Sequence, residues 1–261
     1  MPSTVRPDLF DMTLRTMRRA RAARIGGDPF LAERAFQDIV ERLELIRREF
    51  DRALLIGCPD ASWRGRLRAD RVDVVDPGPR FAAAAGGEPT IEDRWQPEPG
   101  AYDLIVAVGT LDTVNDLPRA LARIRGAMRA DALLIGAMSG GETLPRLRSA
   151  MRAADAAAGA AAPHVHPRIE ASMVAPLLIA AGFTAPVVDI DRVDAGYRSL
   201  GALVADLRAM GATNILTERP RNWLPKPAVA AATEHFARAG DGERTIETFE
   251  ILHFAAWTAG N

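Results

Sequence analysis

Four clusters of small, acidic or hydroxyl residues each close an apolar run: Gly57-Cys58-Pro59-Asp60, Asp76-Pro77-Gly78, Gly109-Thr110-Leu111-Asp112 and Ser139-Gly140-Gly141-Glu142. Such a grouping suits a nucleotide-type ligand. Glycine after a first strand lets backbone come close to the ligand, and an acidic residue after a second strand can accept hydrogen bonds from paired ribose hydroxyls. Asp76 follows Gly57 by 19 residues, as that arrangement requires. The same Asp76 can equally be a turn former ahead of Pro77-Gly78. Other residue types offer less. His164 and His166 stand two apart with no cysteine or carboxylate pair beside them. That is a poor zinc pattern, and no metal is expected. Cys58, the single cysteine, abuts the first strand and reads as an inert buried thiol unless its pKa is lowered. No residue stands out as a general base, so no catalytic residue is assigned.

Residues of this kind act together only if strands bring them to one edge. Short apolar runs recur at 53–57, 72–76, 103–108 and 132–138, each bounded by turn residues, and read as buried parallel strands. Phe36, Ile39, Val40, Leu43, Ile46 and Phe50 share one helical face, as do Leu117, Leu121, Ile124 and Met128. Alternation of strands and helices implies βαβ units in a parallel sheet with helices on both faces. Residues 78–101 read as a loop-rich crossing with at most a short strand near Thr90-Ile91-Glu92. Further helices are expected at 142–158, 169–181, 199–210 and 228–239, with strands at 186–190 and 245–258. Ligands of such open sheets bind beyond the carboxyl ends of the strands.

Composition bounds the remaining choices. The chain has 261 residues, 48% of them hydrophobic and 26% charged, with a net charge of −1 and a mean hydropathy of −0.05. These values exclude disordered, collagen-like and disulfide-stapled classes. The balance of charge suggests no nucleic-acid partner. No apolar run reaches the roughly 18–20 residues of a membrane span, and no signal-type stretch opens the sequence. A cytoplasmic protein is expected. Of the 33 basic residues only Lys226 is a lysine, a bias that reads as genome composition. The first 24 residues are a local exception, with Arg6, Arg15, Arg18, Arg19, Arg21 and Arg24 against Asp8 and Asp11. This arm is either a solvated helix or an element that docks a protein partner.

Longer stretches carry a resemblance. Asp103-Leu104-Ile105-Val106, Val114-Asn115-Asp116-Leu117-Pro118-Arg119-Ala120-Leu121, Leu134-Ile135-Gly136-Ala137-Met138 and Gly140-Gly141-Glu142-Thr143-Leu144 resemble the class I S-adenosylmethionine (SAM) methyltransferases. Within them the chain is similar to the branch of mitochondrial complex I assembly factors and biotin-pathway malonyl-carrier-protein O-methyltransferases. Pro163-His164-Val165-His166-Pro167, the run Asp206 to Asn214, and Leu9-Phe10-Asp11 with Arg18, Arg19 and Arg21 favour the assembly-factor side.

The resemblance implies a seven-stranded Rossmann-like α/β sheet with its last strand antiparallel. It divides the chain into a basic arm and helix, 1–50, packed on a methyltransferase-like domain, 51–261, with substrate-side insertions within about 142–240. It implies SAM as cofactor, held by Gly57, Cys58, Asp76, Pro77, Asp93, Gly109, Leu111 and Asp112. Asp76 would take the ribose, and Asp93 or Glu92 the adenine amine. His164, Tyr197 and Trp223 are the substrate-side candidates, although Tyr197 and Trp223 could also serve packing. The expected activity is SAM-dependent modification of a protein side chain or small carboxylate, with arginine hydroxylation implied in the assembly-factor branch. Two departures stand out. The family's Gly-x-Gly-type loop reads Gly57-Cys58-Pro59-Asp60-Ala61-Ser62-Trp63 here, and its usual Leu-His-Trp reads Leu111-Asp112-Thr113. Pro59 has no N–H, and Ala61 and Ser62 put Cβ atoms where glycine leaves room. The alternative is therefore a non-catalytic assembly or binding protein on the same fold.

Overall fold

Two helices precede the first strand. Helix α1 (Met12–Ile25) starts at an Asp11 cap, whose side chain accepts from the Leu14 N–H, and ends at Gly26 in the left-handed region. Helix α2 (Phe30–Ile46) ends at Arg47, also left-handed with φ 52°. This break explains why Phe50, expected on the α2 face, instead opens strand β1 (Phe50–Ile56). There follow β2 (Ala69–Asp76), α3 (Pro79–Ala84), the two-residue β3 (Glu88–Pro89), β4 (Tyr102–Val108), α4 (Leu117–Ala127) and β5 (Met128–Ser139). The chain continues through α5 (Pro145–Ala158), α6 (Ala171–Ala180), β6 (Phe183–Tyr197), α7 (Leu200–Ala209), α8 (Lys226–Arg238) and β7 (Thr245–Thr258). The protein is described from a computed structural model covering residues 7–260, so Arg6 of the basic arm lies outside the described residues.

The seven strands form one sheet in the order β3-β2-β1-β4-β5-β7-β6. Strands β1 to β5 pair in parallel, and β7 runs antiparallel to both β5 and β6. Successive residues of the central strands serve opposite faces, as a pleated strand demands. Leu54, Ile56 and Ile105 pack on the face covered by α4 and α6. Ala53, Leu55, Leu104 and Val106 pack on the face covered by α2, together with Phe36 and Trp63. A third cluster joins α5, α7 and α8 over Tyr197 and Phe249.

Two strands differ from expectation. Strand β3 lies just before Thr90, where Glu88 and Pro89 pair with Val75 and Asp76. Strand β6 runs from residue 183 to 197 rather than over 186–190 alone. It is an edge strand whose register shifts beside Pro186, and Asp189, Asp191 and Asp194, spread over both faces, weaken the apolar signal. Charge and proline on an exposed edge discourage pairing with other chains. At the start of α5, the residue at the cap position, Leu144, offers no capping side chain. Glu247 of β7 accepts from the Arg146 and Leu147 N–H groups at 3.0 and 2.8 Å, a carboxylate at the positive end of the helix.

Candidate functional site

The carboxyl ends of β1, β2, β4 and β5 meet at a crevice in the centre of the sheet. Gly57, just past β1, has φ +84°, and a Cβ there would collide with the Val108 carbonyl oxygen. Only glycine lets β1 and β4 approach this closely. The loop that follows does not arch into the crevice as a glycine-rich one would. Asp60 accepts from the Ser62 N–H at 2.8 Å and starts a short 3-10 turn. Trp63 then turns away, stacking on Phe36 at 4.2 Å and donating to Glu33 at 2.6 Å. Pro59 alone of this loop lines the cavity.

Asp76 ends β2 and is fully buried. Its carboxylate accepts from the Cys58 N–H at 2.8 Å and the Gly78 N–H at 2.6 Å, with Pro77 buried between. The remaining acceptor positions go to Arg19 of α1, at 2.8 Å from Nε and 2.5 Å from the terminal nitrogen. One helical turn earlier, Arg15 is buried more deeply than Arg19. It makes a two-pronged pair with Glu92 at 2.6 and 2.9 Å and donates to the Thr110 carbonyl at 2.6 Å. Asp112, beyond β4, is paired with Arg168, which burial holds at a pKa of about 10. Each of these three acidic groups is thus neutralised by an arginine from outside the parallel strands.

Family-like motifs hold α1 in this place. Asn115 exchanges two hydrogen bonds with the Phe10 backbone, at 2.8 and 3.0 Å. Asp11 donates its N–H to Ile215, and Thr217 donates to Leu9. His166 stands under the same junction. Its Nε2 accepts from the Ile215 N–H at 2.9 Å, and its ring meets Phe10 edge-on at 5.3 Å. Burial, reinforced by Arg148, pushes the His166 pKa down to about 4, which keeps the ring neutral and able to accept.

The expected cofactor residues therefore divide. Gly57, Cys58, Asp76, Pro77, Gly109 and Asp112 gather at the crevice. Leu111 turns into the core on the α4 side. Asp93 faces the start of α4, where one oxygen accepts from the Asp116 N–H at 3.1 Å and the other is buried without a partner. Burial and then Asp76 push the Cys58 thiol up to about 12, which disfavours the thiolate. Of the substrate-side candidates, His164 pairs with Asp155 at 2.7 Å, Tyr197 is buried beneath α7, and Trp223 is 94% exposed on a loop. The crevice does not gather these three. Sequence reasoning missed Arg15, Arg19, Arg168 and Glu250. The i, i+4 spacing of Arg15 and Arg19 was the available signal, masked by the general excess of arginine.

The open space left in the crevice is about 140 Å³, bounded by Arg19, Pro59, Gly109, Asp112, Arg168 and Glu250 among others. Pockets for small ligands commonly span roughly 300–1,000 Å³. Of the acidic groups at the strand ends only Asp112 lines this space, but their chemistry is of the kind SAM would need. A ribose offers hydroxyl donors where Arg19 now donates to Asp76. An adenine amine is a donor of the kind that Glu92 and the unpartnered Asp93 oxygen accept. A sulfonium carries the positive charge that Arg168 now supplies to Asp112. The acceptors are of the kind that would hold such a cofactor, and Arg19, Arg15 and Arg168 occupy them in this structure.

No protein-family model matches the chain. It is 30% identical to the mouse (Mus musculus) protein named arginine-hydroxylase NDUFAF5, mitochondrial, over 96% of this chain and 77% of that one. A malonyl-[acyl-carrier protein] O-methyltransferase of Xylella fastidiosa is 32% identical over 60% of the chain and 52% of its own length. Among solved structures, YcgJ of Bacillus subtilis aligns with 88% of this chain and all of its own, with a TM-score of 0.60 at 12% identity. The N-methyltransferase NodS of Bradyrhizobium japonicum, solved with S-adenosyl-L-homocysteine, aligns with 95% of this chain and 99% of its own. Its TM-score is 0.50 at 16% identity. The strand order and these neighbours make the fold that of the class I methyltransferases.

Proposed function

Because this methyltransferase-like chain belongs to the family of the arginine hydroxylase NDUFAF5, we propose that it is a SAM-dependent enzyme that modifies a protein side chain. Arginine is the side chain that the name of its mouse relative favours. The reading rests on one observation: Asp76, Glu92 and Asp112 are buried at successive strand ends, each with its charge answered by an arginine. Burying three carboxylates is costly unless each is paired. A crevice kept only for packing would be apolar.

In this reading Asp76 holds the ribose, Glu92 or Asp93 the adenine amine, and Asp112 lies beside the sulfonium. Bound SAM would supply an electrophilic carbon in a site whose task is mainly to orient the partners and exclude water. Helix α1 provides the exclusion, because it roofs the crevice, and Arg19 must leave Asp76 before a nucleoside can enter. Glu250 is buried in the wall, with Arg192 and the Glu142 N–H each 3.3 Å away. Its carboxylate is suited to receive a guanidinium from a substrate protein. We place the action in the cytoplasm. No described helix is long and apolar enough to cross a membrane, and the mouse relative's name is mitochondrial.

A second reading, a non-catalytic binding or assembly protein, is favoured by the Pro59 loop and by the arginines that fill the site. Calorimetry with SAM and S-adenosylhomocysteine on the wild type, Arg19→Ala and Asp76→Ala separates the two. The enzyme reading expects binding by the wild type or Arg19→Ala that weakens at least tenfold when Asp76→Ala is added. Absence of heat from both folded proteins at millimolar ligand would establish the second reading.

A further inference from the structure

The outer side of α1 presents a different situation. A groove of about 780 Å³ runs between α1, α7 and the loop 213–224. Arg18, Arg21, Arg208, Arg219 and Arg221 line it, and Asp11 is the only carboxylate among its lining residues. That carboxylate is already engaged. One oxygen accepts from the Leu14 N–H at 2.9 Å, and the other lies 3.4 Å from Arg219. Among the described residues the Nε atoms of Arg18 and Arg21 are buried in the groove wall without a hydrogen-bond partner, while a terminal nitrogen of Arg21 donates to Thr213 Oγ1 at 3.0 Å. Arg18 feels burial first and then the like charges of Arg219 and Arg208, all of which lower its pKa. Arg21 is lowered by burial and then by Arg18, Arg208 and Arg24. Beside these arginines stands Trp223, 94% exposed.

Five like charges answered by the single carboxylate of Asp11 call for a further anion. We propose that this groove docks an acidic segment of a partner protein, with the five arginines receiving its carboxylates and Trp223 packing against an apolar residue beside them. A protein segment is favoured by the composition of the site. Arginine and tryptophan are the residue types that dominate protein-binding hot spots. A net charge of −1 over the whole chain gives no long-range attraction for a nucleic-acid backbone. The groove faces away from Asp76 and Glu92, so the proposal stands whether or not the crevice binds SAM.

The test uses the full chain and a fluorescein-labelled peptide of alternating glutamate and leucine, followed by anisotropy at roughly 50 and 200 mM salt, since screening separates charge-driven from apolar binding. The expected result is binding that weakens at least fivefold with salt and at least tenfold in Arg18→Ser/Arg208→Ser. It also includes a blue shift of tryptophan emission that disappears in Trp223→Ala. Arg221→Ser, on an exposed loop, provides a variant that leaves the helices untouched and should weaken binding about threefold. Circular dichroism confirms that each variant is folded. The proposal is overturned by an absence of peptide binding at low salt, or by binding indifferent to both arginine variants. It is also overturned if single-stranded RNA of equal charge binds more tightly with the same dependence on Arg18 and Arg208.

Discussion

The two sides of α1 use the same residue type to opposite ends. On the inner side, Arg15 and Arg19 are locked into charged hydrogen bonds with Glu92 and Asp76, and Arg15 is only 4% exposed. On the outer side, Arg18 and Arg21 face other arginines, and their Nε atoms have no partner. The difference teaches that the basic arm is one helix with two tasks, separated by helical geometry. Positions 15, 19 and 22 fall on one face by the i, i+4 and i, i+7 rule, and 18 and 21 fall beside it. A helix this charged has little apolar surface with which to dock, so its inner arginines take the place of a hydrophobic stripe.

The contrast can be broken most directly by alanine. Arg15→Ala leaves Glu92 as an uncompensated buried charge and should cost about 3–5 kcal/mol. Arg18→Ala should change stability by no more than about 0.5 kcal/mol, as expected for a side chain without a partner. Urea denaturation of the two variants side by side measures the difference, and equal losses would erase the distinction between the faces.

The anchor of α1 gives the next largest effect. His166 is neutral in the folded protein, with a pKa of about 4 against an ordinary 6.5. The unfolded chain therefore binds the extra proton first as pH falls. Stability should be intact above pH 6.5 and decline toward pH 4 by up to about 3 kcal/mol. Denaturation midpoints at pH 7.5 and pH 4.5 report it, and His166→Gln should flatten that part of the profile.

Removing the inner plug should produce a smaller change of opposite value to the ligand. Arg19→Ala frees two acceptor positions on Asp76 and should tighten SAM binding by about tenfold, near 1.4 kcal/mol. Calorimetry reads this directly, and weaker binding would mean that Arg19 helps to hold the ligand rather than replacing it. Least of all, Asp11→Ala removes the cap of α1 and should cost about 1 kcal/mol. A thermal melt measures it.

Much of the scaffold was legible in the chain itself. The buried strands β1, β2, β4 and β5 announce themselves as short apolar runs, because both their faces are covered. Gly57, Asp76, Gly109 and Asp112 follow those runs and meet where the strands end. Strand β6 was shortened and Phe50 misplaced for local reasons. An edge strand is interrupted by aspartates on both faces, and α2 stops at Arg47 rather than at a glycine. The filled crevice was less legible. Arg15 and Glu92 are 77 residues apart, Arg19 and Asp76 are 57 apart, and Arg168 and Asp112 are 56 apart.

The sequence by itself determined the strands, the helix periodicity and the acidic residues at the strand ends, since these depend on local pattern and burial. Only the tertiary structure decided which arginine answers which carboxylate. Arginines along one helix look alike in sequence. Their partners come from loops brought together by the sheet, and the choice between a buried ion pair and an unpartnered charge is made by what lies across the gap.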